Sequence, residues 1–336
     1  MIDIAIYKQL HLHTTAIQKT DDPISTATNF PKYPFLLLLP SSLPGFNMRY
    51  KRWENLDVER FADVAWDTRA FDGLVLPEMR KSLLQALVLN QVGSSKDSKT
   101  VSEKYKGLVI LLHGAPGTGK TFTAESVAEA AMRPLYRVNC DDIGTGPESA
   151  EKYLSSVFEL SSRWGCILLL DEADVFLEER SLENLQRNAL VSVFLRALEY
   201  FSGILFLTSS RVGTIDEAFR TRIQLALHYS NPTREQRRLI WTGYLNKLKG
   251  HDKEEPNIDL SDVTSNLDRL AEYPMNARQI RNTITTANQL RSFHRRELRF
   301  SDLETVISVA GAFDQYLQTV HGGISDEELA RNRGIR

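Results

Sequence analysis

Apolar and polar positions divide the chain into three stretches. Between residues 107 and 230, short apolar runs alternate with segments whose apolar residues recur every three or four positions. The runs fall at 108–112, 166–170 and 204–207, with further strands expected over 135–140 and 225–229. A run that is apolar throughout suits a strand covered by helices on both faces. In the first helical segment, about 119–131, Ala124, Val127, Ala128 and Ala131 form a core-facing stripe that Pro134 stops. A second is expected over about 148–162. A third, near 183–201, carries Leu190, Val193, Phe194, Ala197 and Leu198 on one side. Strands alternating with helices predict an α/β fold with a five-stranded parallel sheet over 107–230. After Asn231-Pro232 only helical periods continue, with helices expected near 233–248, 261–271, 276–293 and 301–319. Residues 231–320 therefore read as a C-terminal all-α domain, and 321–336 as a tail with little to bury.

The chain ahead of the sheet is less regular. Residues 1–33 show no clear period, and 1–45 reads as a poorly structured N-terminal segment. A short apolar run at 35–39, closed by Pro40, reads as a strand or docking segment. Residues 46–106 read as an adaptor and linker. Within them, 48–66 mixes charge with spaced aromatics, and Pro77 opens a helix over about 77–90. That helix places Leu83, Leu84, Leu87 and Val88 on one face, and a polar loop follows over 91–106.

Composition narrows the function classes. At 336 residues the chain exceeds one typical domain, and 42 % hydrophobic with 25 % charged content is ordinary for a globular protein. A net charge of −2 argues against general nucleic-acid binding, which needs a basic footprint. Cys140 and Cys166 make no disulfide scaffold and read as small buried side chains in a reducing compartment. No apolar stretch is long enough for a membrane span, and the first residues lack a secretory signal. The expected location is intracellular, in the cytoplasm.

The chemistry centres on residues 108–121, LVILLHGAPGTGKT. Gly114-Ala115-Pro116-Gly117-Thr118-Gly119-Lys120-Thr121 fits G-x-x-x-x-G-K-[ST], set between an apolar strand and a helix as phosphate cradling requires. Gly117 and Gly119 let backbone N–H groups converge into an anion nest at a helix start. Lys120 is placed to reach the β- and γ-phosphates, and Thr121 offers a hydroxyl to Mg²⁺. Phe122 follows at the edge of this nucleotide-binding stretch.

Four further stretches join it. In CILLLDEAD (166–174) an apolar strand ends in Asp171-Glu172. Carboxylates at that end of a strand in an open α/β sheet face the ligand crevice. Asp171 is placed to hold Mg²⁺, and Glu172 to orient and polarise an attacking water. That favours hydrolysis of ATP over transfer to a substrate hydroxyl. In GILFLTSSR (203–211), a strand between the loop strand and the Asp-Glu strand would bring Ser209 or Ser210 near the γ-phosphate. DEAFRTRIQ (216–224) offers Arg220 and Arg222 as cations for a neighbour's phosphate, or as an intramolecular ion pair. MNARQIRN (275–282) puts Arg278 and Arg281 on one helix face, where one could fold back onto the phosphates.

Taken together, GAPGTGKT, ILLLDEAD, LTSSR, DEAFRTR and NARQIRN resemble the AAA branch of P-loop ATPases, over about residues 66–320. The phrase LLLDEADVFLEERS…RNALVSVFLRALEYFSGILFLTSSR…DEAFRTRIQLALHY is similar to a group of these found widely in fungi. So is PGFNMRYKRWENLDVE (44–59). The resemblance implies a sheet of order 5-1-4-3-2, a helical lid, ATP and Mg²⁺ at their junction, and a homo-oligomer, commonly a hexameric ring. By position it makes Lys120 and Thr121 phosphate and Mg²⁺ ligands, Asp171 the metal ligand and Glu172 the catalytic base. Ser210 falls on sensor 1, Arg222 on the arginine finger, Arg278 on sensor 2, and Asp72, Gly73 and Leu74 on the adenine pocket. The chain departs from the family at Ser210, usually Asn, and at 141–149, which lacks the aromatic that unfoldases use to grip a threaded polypeptide. It also has about 60 residues where the group carries a larger N-terminal domain, so the expectation is either a shortened member or a mispredicted gene product. The expected function is ATP hydrolysis coupled to remodelling of an unknown protein. The alternative is a slow nucleotide-gated switch, with a P-loop kinase a weaker third reading.

Overall fold

The computed structural model describes residues 1–11, 40–97, 107–144, 146–180, 184–211, 213, 215–251 and 260–320, with 328 and 332 beside them. These form two compact units, Met1–Ala65 and Trp66–Arg336.

In the first unit, helix α1 (Ile4–Leu10) is capped by Asp3, whose carboxylate accepts from the Ile6 N–H. Strands β1 (Ser42–Asn47) and β2 (Arg52–Asp57) pair antiparallel. The Phe46 N–H donates to the Met1 carbonyl at 2.7 Å. The rings of Tyr7, His11 and Phe46 surround Trp53 at 5.2, 6.3 and 5.5 Å. These elements lie at the two ends of, and just beyond, the segment 1–45 read as poorly structured, whose residues 12–39 lie outside the described residues. They escaped that reading because α1 buries only Ile6, and the strands show no clean alternation of buried and exposed positions. The apolar run at 35–39 lies outside the described residues.

The second unit opens with α2 (Glu78–Asp97), which runs beyond the expected end near 90 into polar sequence. Among its described side chains Leu84 and Val88 are buried, whereas Leu83 is 47 % exposed, so the core-facing stripe is narrower than the sequence suggested. Then follow β3 (Leu108–Gly114), α3 (Lys120–Ala130), β4 (Leu135–Asn139), the single turn α4 (Cys140–Ile143), α5 (Pro147–Trp164) and β5 (Ile167–Asp171). The single turn α6 (Asp174–Leu177), α7 (Leu185–Glu199), β6 (Ile204–Ser209) and β7 (Leu225–Tyr229) complete this part.

The five strands pair in the order β4-β5-β6-β3-β7, all parallel. Counted within this sheet that is 5-1-4-3-2, as the resemblance implied. The order has a chemical consequence. Strand β6 lies between β3 and β5, so Ser209 pairs with His113, one residue from the start of the phosphate loop. On the other flank Asn139 pairs with Asp171. The carboxyl ends of four strands thus meet at one edge. Beneath it, Ile110, Leu112, Ala124, Ile167 and Phe206 form the core with Leu84 of α2. Burying each large side chain contributes about 1.5–3 kcal/mol.

The helical part comprises α8 (Arg234–His251), α9 (Leu260–Ser265), α10 (Leu267–Glu272), α11 (Ala277–His294) and α12 (Phe300–Val320). It has its own core around Trp241, Leu270, Ile280, Ile284 and Leu298. The helix expected over 261–271 is two short ones. Asn266 breaks it, its side-chain amide donating to the Asp262 carbonyl at 2.8 Å in competition with the helical ladder. Among the described residues, no helix is long and apolar enough to cross a membrane.

Candidate functional site

The loop between β3 and α3 is shaped by two close approaches. Gly114 has φ +139°, and a Cβ there would lie 2.1 Å from the Tyr229 carbonyl oxygen, so only glycine fits beside β7. Gly117, at φ +79°, faces Asn276 of the helical part, whose side chain would lie 2.8 Å from an added Cβ. Lys120 is buried, and its ammonium donates to the carbonyls of Gly114 and Ala115, each at 2.8 Å. The Thr118 hydroxyl closes the loop onto the Ala115 carbonyl at 2.8 Å.

Asp171 sits opposite. Its Oδ1 accepts from Thr121 Oγ1 at 2.9 Å and from Thr208 Oγ1 at 2.6 Å, and its Oδ2 accepts from Arg137 Nη2 at 2.5 Å. Glu172, the next residue, is exposed and has a left-handed backbone, φ +57°, uncommon for a residue with a side chain. Two contacts hold it there. Its N–H donates to Thr208 Oγ1 at 2.8 Å, and its carbonyl accepts from Cys140 Sγ at 2.7 Å. Cys140 is thus half-buried at the site and not a core side chain as expected, whereas Cys166 is buried.

The end of β6 is held by Asp174. Its Oδ1 accepts from Ser209 Oγ at 2.6 Å, the Ser210 N–H at 3.1 Å and the Arg211 N–H at 3.2 Å, and its Oδ2 accepts from Ser210 Oγ at 3.3 Å. From the helical part, Asn276 caps α11 in a reciprocal pair with Gln279, and the Arg278 N–H donates to the Gly117 carbonyl at 3.1 Å. The start of α11 is therefore hydrogen-bonded to the phosphate loop itself.

Lys120, Thr121, Asp171, Glu172, Ser210 and Arg278 line one cleft of about 300 Å³, and Arg137 and Arg281 line it with them. Pro116, Gly117, Gly119 and Phe122 belong to the same cleft. A second, apolar cavity of about 320 Å³ adjoins it at Gly119, Phe122, Tyr244 and Ala277. Gly73, Leu74 and Thr118 line this cavity, but Asp72 does not; its carbonyl accepts from Lys81 Nζ at 3.3 Å. Arg222 lines neither. Its guanidinium is bonded to the Ala218 carbonyl and to Glu199 within the same chain.

Burial tunes the groups around these cavities. It raises Glu125, on α3, against the opposing pull of Arg137. It pushes Tyr229 up to about 12, and the Tyr229 hydroxyl bonds Thr123 Oγ1 at 2.7 Å. Burial also lowers His113, helped by His228 and Lys120. Arg137, Thr208, Asp174 and Asn276 were not singled out from sequence. Asp174 carried a signal as the last residue of DEAD, and Asn276 one as the first residue of N-x-x-Q, a capping-box spacing.

Residues 110–231 match the model of the family described as "ATPase family associated with various cellular activities (AAA)". Residues 233–324 match that of the "Fungal AAA+ ATPase lid domain". The chain belongs to the AAA ATPases. Among curated relatives it is 28 % identical over 186 residues to the ATPase family AAA domain-containing protein 3A homolog of Drosophila melanogaster, covering 54 % of this chain and 30 % of that protein. To Fidgetin-like protein 1 of the same species it is 29 % identical over 178 residues, covering 49 % and 34 %. The matches thus span about a third of those relatives' length. The crystal structure of the FIGL-1 AAA domain in complex with ADP superposes with a TM-score of 0.53 at 20 % identity, covering 70 % of this chain and 82 % of that one. The chain thus has the fold of that domain, and as an AAA protein it carries a nucleotide-binding P-loop domain followed by a lid, residues 233–324.

Proposed function

We propose that this AAA ATPase binds ATP across the two adjoining cavities and hydrolyses it, coupling turnover to movement of its lid. One observation supports the reading: the Thr121 hydroxyl and the Asp171 carboxylate meet at 2.9 Å in a cleft that Lys120 and Glu172 also line. In this reading the loop N–H groups and Lys120 bind the β- and γ-phosphates. Gly73, Leu74 and Phe122 border the base, and Asp72, outside the cavity lining, is not assigned a contact. Glu172 orients and polarises the attacking water, Ser210 contacts the γ-phosphate, and Arg278 closes over it from the lid.

The donor set also fits Mg²⁺. Thr121 and Asp171 offer hard oxygen donors on facing elements. Among the described residues, no cluster of three or more His, Cys, Asp or Glu forms a metal cage. Two protein oxygens, with phosphate oxygens and waters, are how Mg²⁺ is usually held. The metal would neutralise charge developing on the transferred phosphoryl group. Further proposals are that the chain works as a homo-oligomer, a hexameric ring, with Arg222 serving a neighbour's site, and that it remodels a protein partner.

The reading is tested by Glu172→Gln. Nucleotide affinity is expected to stay within about twofold, while turnover falls roughly a hundredfold or more, the usual worth of a positioned base. Unchanged turnover in the purified variant would sink the hydrolytic assignment. A second reading, the slow nucleotide-gated switch, draws on Ser210, whose hydroxyl is bonded to Asp174, and on the Arg222–Glu199 pair. The two readings part on whether turnover per subunit rises with protein concentration.

A further inference from the structure

Arg137 lies on β4, one of the two edge strands of the sheet, and lines the phosphate cleft. Its guanidinium lies between two carboxylates from different elements. Nη2 is 2.5 Å from Asp171 Oδ2, and Nη1 is 3.8 Å from Glu125 Oε1. The two acids differ in freedom. The Asp171 side chain is 9 % exposed and fixed by Thr121 and Thr208, while Glu125 is 45 % exposed on α3. Arg137, itself half exposed, has room to move between them. In this arrangement Asp171 has no free oxygen. Oδ1 serves two hydroxyls and Oδ2 serves Arg137.

A divalent cation held at Thr121 and Asp171 would meet this guanidinium at close range. Lys120 lines the same cleft. A dication on Asp171 repels the cations beside it, and the one with another partner within reach can withdraw. Lys120 is buried and tied to two loop carbonyls, whereas Arg137 has Glu125 within reach.

We propose that Arg137 is a built-in counter-cation for the metal position: it neutralises Asp171 while no metal is bound and passes to Glu125 when Mg²⁺ arrives with nucleotide. Metal binding is then an exchange, and Arg137 and Glu125 together set its affinity. The proposal rests on the ATP and Mg²⁺ reading above. It assigns these two residues opposite effects, because one competes with the metal and the other receives the competitor.

The test is calorimetric titration of MgCl₂ into the full chain saturated with the β,γ-imido analogue of ATP, so that no turnover enters the measurement. Arg137→Met is expected to tighten Mg²⁺ roughly three- to tenfold, the effect of removing one charge several ångströms away at a partly screened site. Glu125→Gln is expected to weaken it about threefold, since Arg137 then has only Asp171. Arg137→Lys, which keeps the charge, should stay near wild type. A melt without nucleotide reports whether each variant folds, and Glu125→Gln carries the test alone if Arg137→Met does not. An Arg137→Met affinity equal to or weaker than wild type, or a Glu125→Gln affinity equal or tighter, overturns the exchange and leaves Arg137 as a prop for Asp171. Absence of any metal-dependent heat in wild type overturns the proposed site and this inference with it.

Discussion

Thr208 is the residue through which the Asp171 carboxylate and the Glu172 backbone share one support. Its hydroxyl donates to Asp171 Oδ1 at 2.6 Å and accepts from the Glu172 N–H at 2.8 Å, and the side chain is buried. The second bond has added weight because Glu172 holds a left-handed backbone, which costs of order 1–3 kcal/mol unless its surroundings impose it. Thr208→Val keeps the shape and removes the hydroxyl, leaving the partly buried Glu172 N–H without this acceptor and Asp171 short of one donor. The expected loss of stability is about 1–3 kcal/mol by urea unfolding, with Thr208→Ser restoring most of it. A Val variant as stable as wild type would mean that neither bond contributes. Asp174 does related work one strand end away, gathering Ser209, Ser210 and Arg211 onto one carboxylate. Thr208 does not declare this in the sequence, and Asp174 does so only as the last residue of DEAD. Lys120, Thr121, Asp171 and Glu172 stand in short patterns whose spacing is itself the chemistry. Thr208, Arg137 and Asp174 gain their partners only when β4, β5 and β6 lie side by side.

Among the elements, α11 is the one that joins the lid to the phosphate loop. Asn276 and Gln279 cap it reciprocally, and this capping fixes the direction in which the first turn delivers the Arg278 N–H to the Gly117 carbonyl. Asn276→Ala is expected to cost about 1 kcal/mol through the lost cap. It should also accelerate hydrogen exchange of the Gln279 and Ile280 amides and weaken nucleotide binding, because the loop loses its contact with the lid. Asn276→Asp keeps the acceptor and should protect those amides as wild type does. Equal exchange in the Ala variant would detach the cap from the loop contact. Legibility at this scale followed burial. The strands β3, β5 and β6 are apolar nearly throughout, and α5 and α7 bury a whole face, so period and length revealed them. The turns α4 and α6 are too short to show a period. The hairpin β1–β2 buries few side chains and left no alternation to read.

At the scale of the whole molecule, the charge around the cleft poses the question of assembly. Lys120, Arg137, Arg278 and Arg281 line it from within the chain. Arg222 does not. It lies on the segment after the turn at Glu217–Phe219, bonded to Ala218 and Glu199, and its Nε is buried without a partner among the described residues. A guanidinium held this way is oriented rather than freely mobile, at the cost of one unpaired donor. Such a group is suited to be presented to another subunit, and Arg220, exposed beside it, is the rival for that role. If a neighbour's phosphates are its target, Arg222→Ala should lower turnover roughly a thousandfold while leaving nucleotide affinity within about twofold. Turnover per wild-type subunit should then climb with protein concentration, as sites are completed by association, and the variant should stay flat across the same range. A parallel fall in affinity would place Arg222 within its own chain's structure. Loss of turnover in Arg220→Ala, with Arg222→Ala active, would transfer the role to Arg220. Slow turnover independent of concentration in wild type would favour the switch over the motor, since each chain would then hold all that its site requires.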